Sequence, residues 1–117
     1  GNTHLVYDDF AHHPTAIEAV SEAVKSKHAS KMIGIIELAS NTMKSGRHGN
    51  ALIDSTKNFD KIYFLDHENT LNDANSFSSL EKIIDDLKKV ICDYETIIIM
   101  TNKDSQIISR EIIKLCN

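Results

Sequence analysis

Two carboxylates and two imidazoles stand close together near the N-terminus, at Asp8, Asp9, His12 and His13. A carboxylate at the end of a strand can accept hydrogen bonds from ribose hydroxyls or hold a magnesium-bound water. Imidazoles can donate to phosphate oxygens, and a position at the start of a helix favours an anion. If one strand continues through both aspartates, only one of them faces a ligand cleft easily. These four side chains therefore predict contact with a nucleotide. For either aspartate, capping of the next helix is an equally good interpretation.

A second polar segment contains Ser40, Asn41, Thr42 and Lys44. The lysine can bind a carboxylate or phosphate as a point charge, and its neighbours can add directional hydrogen bonds. For Lys44 taken alone, a solvated surface lysine is the commoner situation. We interpret Asp66 as part of a turn at a strand end. No metal site is predicted, because adjacent histidines lack the spacing by which one helix chelates an ion.

Short apolar segments and amphipathic segments alternate along the chain and must position these residues. The apolar segments predict four strands, at residues 4–8, 32–38, 61–66 and 96–100. The amphipathic segments predict helices at about 15–27, 50–57 and 78–91, with a last one from 104 or 105; residues 68–77 are predicted to be irregular. Thr15 with Glu18, and Ser78 with Glu81, have the spacing of a capping box.

This alternation predicts a single α/β domain with a mostly parallel sheet and helices on both faces. The loops that follow the strands then meet at one edge of the sheet, where open α/β sheets bind ligands. That edge would collect residues 8–13, 40–44, 66–69 and 101–104.

Composition excludes several classes of function. The 117 residues suit one domain, and a formal charge of -4 gives no basic field for nucleic acid. The apolar runs are too short to cross a membrane. Two isolated cysteines indicate neither zinc nor a disulfide framework, which fits a reducing cytosol. Because the sequence has neither a GxxxxGK[ST] loop nor a GxGxxG motif, any bound nucleotide must be held partly by groups from elsewhere.

The segment that contains the two aspartates and two histidines resembles a family signature. Residues 8–15, Asp-Asp-Phe-Ala-His-His-Pro-Thr, are similar to the DD(Y/F)(A/G)HHPT motif that opens the C-terminal domain of Mur ligases, the ATP-dependent amide-forming enzymes of peptidoglycan synthesis. Residues 37–44 resemble the E-x-R-S-N-T-M-K loop of the branch that recycles cell-wall tripeptide onto UDP-N-acetylmuramate. Residues 98–102 also resemble that branch's final strand, so the similarity spans nearly the whole chain.

The resemblance implies that residues 3–117 are a Rossmann-like C-terminal domain, which in the intact enzyme closes over ATP beside a UDP-binding N-terminal domain and a central ATPase domain. ATP and Mg²⁺ would be held mainly by that central domain. Asp9 would contact the ribose, with Asp8, His12 and His13 near the nucleotide. Residues 40–42 and Lys44 would face the incoming peptide. The family reaction is cytoplasmic: it phosphorylates the UDP-muramyl carboxylate, and the peptide amine then attacks the acyl phosphate.

The resemblance also implies that this domain contributes closure and substrate positioning, with no acid-base catalyst of its own, so the isolated chain is expected to be inert. Two departures bear on peptide specificity. Ala39 stands where the branch usually has Arg, and residues 103–105 replace an expected glycine-rich turn. The relative that adds L-alanine has an HRYTR-like second loop, which residues 40–44 do not match.

Two other classes of protein remain open. A phospho-acceptor receiver domain also has paired aspartates after its first strand, an Asp after the third and a Thr after the fourth, which Asp8, Asp9, Asp66 and Thr101 could mimic. It gives no reason for the His-His-Pro run. The other class is a stand-alone binding module with no reaction of its own.

Overall fold

The computed structural model describes residues 5–9, 14–28, 31–37, 52–66, 74–100, 110–112 and 114. Along the chain, the elements are β1 (Leu5–Asp9), α1 (Pro14–His28), β2 (Met32–Glu37), β3 (Lys61–Leu65), β4 (Ser76–Phe77), α2 (Leu80–Val90), a 3-10 turn (Ile91–Asp93) and β5 (Thr96–Met100). Residues 52–54, 110–112 and 114 are also helical. Among the described residues, no helix has the length and apolar character needed to cross a bilayer.

The described strands form one five-stranded sheet in the order β1-β5-β2-β3-β4. Every pairing in it is parallel, as the alternation of strands and helices predicted. All residues of β2 and β5 are buried, which is why both strands read as nearly continuous apolar runs. The last of the described strands, β5, therefore lies inside the sheet, between β1 and β2.

Side chains alternate between two cores, one on each face of the sheet. On the first face, Ile33 and Ile35 of β2 pack with Ile83 and Leu87 of α2. On the opposite face, Met32 and Ile36 pack with α1 and with the segment after β2; the members here include Ile17, Leu52, Phe64, Ile98 and Met100. The prediction of helices on both faces is confirmed.

The predicted irregular segment at 68–77 is wrong at its end. Ser76 and Phe77 form β4, which pairs with Phe64 and Leu65 of β3. The amide of Asp66 donates to the carbonyl of Phe77 at 2.8 Å and extends this pairing. A two-residue strand has no periodicity of its own, so only the neighbouring strand defines it.

The N-terminus of α2 is capped one residue later than its capping-box spacing predicted. The Oγ atom of Ser79 accepts a hydrogen bond from the amide of Lys82 at 3.4 Å, and Ser79 is the N-cap residue. Ser78 instead accepts a hydrogen bond from Nζ of Lys82 at 3.1 Å. The helix is otherwise where its apolar stripe predicted it, because Ile83 and Leu87 point into the core.

Candidate functional site

The strands of this parallel sheet bring their carboxyl ends to one edge. Met100, the last residue of β5, is paired with Asp9 of β1 on one side and with Ile36 of β2 on the other. Glu37 follows Ile36 and pairs with Leu65 of β3. Since neighbouring strands lie about 4.8 Å apart, the backbones of Asp9 and Ile36 are separated by about 10 Å.

The chain leaves this edge toward opposite faces after neighbouring strands. After β1 it enters α1, whose Ile17 belongs to one core, whereas after β5 it reaches Ile112, which belongs to the other core. After β2 it reaches Leu52, on the same face as α1. The connection after β5 thus lies on the face opposite to the connections after its two neighbours, β1 and β2, and such points are where open α/β sheets bind ligands.

Of the residues predicted to contact nucleotide, Asp8 and Asp9 lie at the end of β1, paired with Ile99 and Met100. The strand includes both aspartates. The other predicted site residues lie outside the described part of the chain: His12, His13, Ser40, Asn41, Thr42 and Lys44. Their roles, and those of the two aspartates, stay predictions.

Two buried carboxylates at the same edge were not among the predicted site residues. Glu37 is 8% exposed and Asp66 is 2% exposed. Each of them has an interaction partner, as a buried carboxylate requires. The sequence signal for Glu37 was a single charge at the end of an apolar strand, and the one for Asp66 was an acid directly after β3. Within the described residues, no three His, Cys, Asp or Glu side chains come together as a metal site.

The pKa of Tyr63 is shifted upward, at a cluster between β3 and α2. Burial raises the pKa of this phenol most, and the hydrogen bond to the Asp86 carboxylate raises it further. Nζ of Lys61 lies 3.6 Å from Oδ2 of Asp86 and 5.1 Å from the centre of the Tyr63 ring. The three side chains interact with one another through a hydrogen bond, an ion pair and a cation–ring contact. We therefore regard the cluster as a structural link between the strand and the helix.

A groove of about 640 Å³ runs along α2 on the face opposite to α1. Its floor includes Leu80 and Ile84, and charged residues such as Glu81, Lys88 and Glu111 surround it. None of the residues that line it was predicted to bind nucleotide or peptide. The groove therefore shares no lining residue with the predicted site.

Comparison with known proteins connects this fold to one family. Residues 1–112 match the family described as Mur ligase, glutamate ligase domain. The UDP-N-acetylmuramate–L-alanine ligase of Hydrogenobaculum sp. (strain Y04AAS1) is 36% identical over 98 residues, covering 80% of this chain and 21% of the ligase. The UDP-N-acetylmuramate–L-alanyl-gamma-D-glutamyl-meso-2,6-diaminoheptandioate ligase of Escherichia coli (strain K12) is 44% identical over 62 residues, covering 51% of this chain and 14% of the ligase.

A solved structure agrees with these relatives. The murein peptide ligase of Psychrobacter arcticus 273-4 superposes with a TM-score of 0.75 at 28% identity, over 100% of this chain and 29% of that one. The chain thus spans only a minor part of the length of its full-length relatives, from 14% to 29%. A match over residues 1–112, together with a shared Rossmann-like fold, shows that this chain belongs to the Mur ligase family as its glutamate ligase, or C-terminal, domain.

Proposed function

We propose that the chain is the C-terminal domain of an ATP-dependent ligase that joins L-alanyl-γ-D-glutamyl-meso-diaminopimelate to UDP-N-acetylmuramate. The observation that carries this proposal is the family match over residues 1–112. Relatives of E. coli and Haemophilus influenzae at 44% and 38% identity are named as ligases of this acceptor. The reaction would serve peptidoglycan recycling in the cytoplasm, where ATP is available.

The choice of acceptor depends on residues 40–44. Their sequence, Ser-Asn-Thr-Met-Lys, is similar to the second loop of the tripeptide-using branch. The L-alanine ligase of Hydrogenobaculum nevertheless matches a longer part of this chain, and Ala39 lacks the arginine that the tripeptide branch usually carries. Both acceptors present an L-alanyl amine, so the test of specificity is whether the enzyme accepts the longer peptide.

In this proposal the chain positions substrates and supplies no acid or base. Asp8, Asp9, His12 and His13 hold the nucleotide, while residues 40–42 and Lys44 hold the peptide. The backbone of Asp9 and the end of β2, which leads into the peptide segment, lie on either side of β5 and about 10 Å apart. This spacing supports an arrangement in which the peptide amine is brought to the acyl phosphate formed from ATP and the UDP-muramyl carboxylate.

Mg²⁺ would neutralise charge on the ATP phosphates when bound. Carboxylate oxygens are suitable ligands for it, and Asp8 and Asp9 lie at the strand ends, but two adjacent aspartates do not make a complete site. We propose that the ion and the triphosphate are held mainly by a central ATPase domain of the intact enzyme. UDP-N-acetylmuramate would be held there and by an N-terminal domain.

The strand order argues against a receiver domain. In that fold the first and third strands are neighbours, so their aspartates share one acidic pocket. Here β5 and β2 lie between β1 and β3. Three strand spacings and the two residues by which Asp66 extends beyond the level of Asp9 put their backbones about 16 Å apart, too far for one shared pocket. If a small phosphodonor nevertheless phosphorylated Asp66, the ligase assignment would be wrong.

The direct test uses the intact protein that carries this domain. It is incubated with UDP-N-acetylmuramate, ATP and Mg²⁺, together with either the tripeptide or L-alanine. The products are then identified by mass spectrometry. We expect the UDP-muramyl tripeptide and one phosphate released per amide bond. A product with L-alanine only would contradict the acceptor, and no amide at all would contradict the function. The isolated chain serves as a control and is expected to be inactive.

A further inference from the structure

We draw no further inference here: the strongest candidate, the groove along α2 with Leu80 and Ile84 in its floor, carries no proposal, since nothing in the described part of the structure shows what covers it.

Discussion

Tyr63 of β3 donates a hydrogen bond from Oη to Oδ2 of Asp86 in α2, at 2.5 Å. The ring of Tyr63 also packs against Phe77 of β4, with the ring centres 5.4 Å apart. One side chain therefore joins two strands and a helix. Burial disfavours the ionised phenolate, and ionisation would also place a second negative charge beside Asp86, so the pKa of Tyr63 is raised.

This relationship predicts a loss of stability in alkaline solution. In the unfolded chain tyrosine titrates near pH ~10, whereas in the folded chain the proton is retained to higher pH. The contribution of Tyr63 is fully present below about pH 10 and decreases as the pH rises toward the folded pKa. Urea unfolding at several pH values should therefore show a steeper alkaline decline for the wild type than for Tyr63→Phe. An identical decline in Tyr63→Phe would contradict the prediction.

Gly34→Ala should destabilise the domain by about 1–3 kcal/mol, because β2 has no room for a side chain there. An added Cβ would lie 2.6 Å from Cδ1 of Ile62 and 2.8 Å from Cε1 of Phe59. The midpoint of urea denaturation measures the effect. Adding Ile62→Val removes one of the clashing atoms and should recover part of the loss. A Gly34→Ala variant as stable as the wild type would show that both side chains move aside at little cost.

Two adjacent serines give a matched test of helix capping. Ser79→Ala removes the hydrogen bond to the amide of Lys82 and should cost about 0.5–1 kcal/mol, at the low end of capping effects because that bond is long. Ser78→Ala removes only an exposed side-chain contact and should cost less. The difference in unfolding free energy between the two variants is the quantity to measure. Equal costs would mean that Ser79 is not the effective cap.

Lys44→Ala tests the assignment of the second segment in the intact enzyme. If Lys44 binds a carboxylate of the acceptor peptide, its loss should raise the KM for the tripeptide about tenfold or more, by removing a charge-assisted hydrogen bond. The KM for ATP should change little. Steady-state kinetics with each substrate varied in turn separates the two effects. A similar rise in both KM values would contradict a specific role in peptide binding.

The sequence predicted best those elements whose residues are all buried or periodically buried. The continuous apolar runs of β2 and β5 predict buried strands, and the apolar stripe of α2 predicts an amphipathic helix. Strand order was not predicted, because the insertion of β5 depends on pairing with strands far away in the sequence. β4 was missed for the same reason, since two residues form a strand only beside β3.

The candidate site was predicted in part. The polar residues near the N-terminus led to the prediction of Asp8 and Asp9, which lie at the carboxyl end of β1, and their role stays a prediction. Glu37 and Asp66 were not predicted as site residues, because a single acidic residue at a strand end gives the same sequence pattern in a turn as in a binding site. Both residues are buried in the assembled fold, which the sequence pattern alone does not show.

The position of β5 has a consequence for the order in which the domain forms during synthesis. Among the described strands, β1 has only β5 as a neighbour, and Leu5 pairs with Thr96. Among the described strands, the one that carries Asp8 and Asp9 thus has no partner in the sheet until β5 has been synthesised. Such distant pairing slows folding, since a long loop must close first. Within this domain, β1 precedes the other described strands in the sequence, yet its pairing waits for β5.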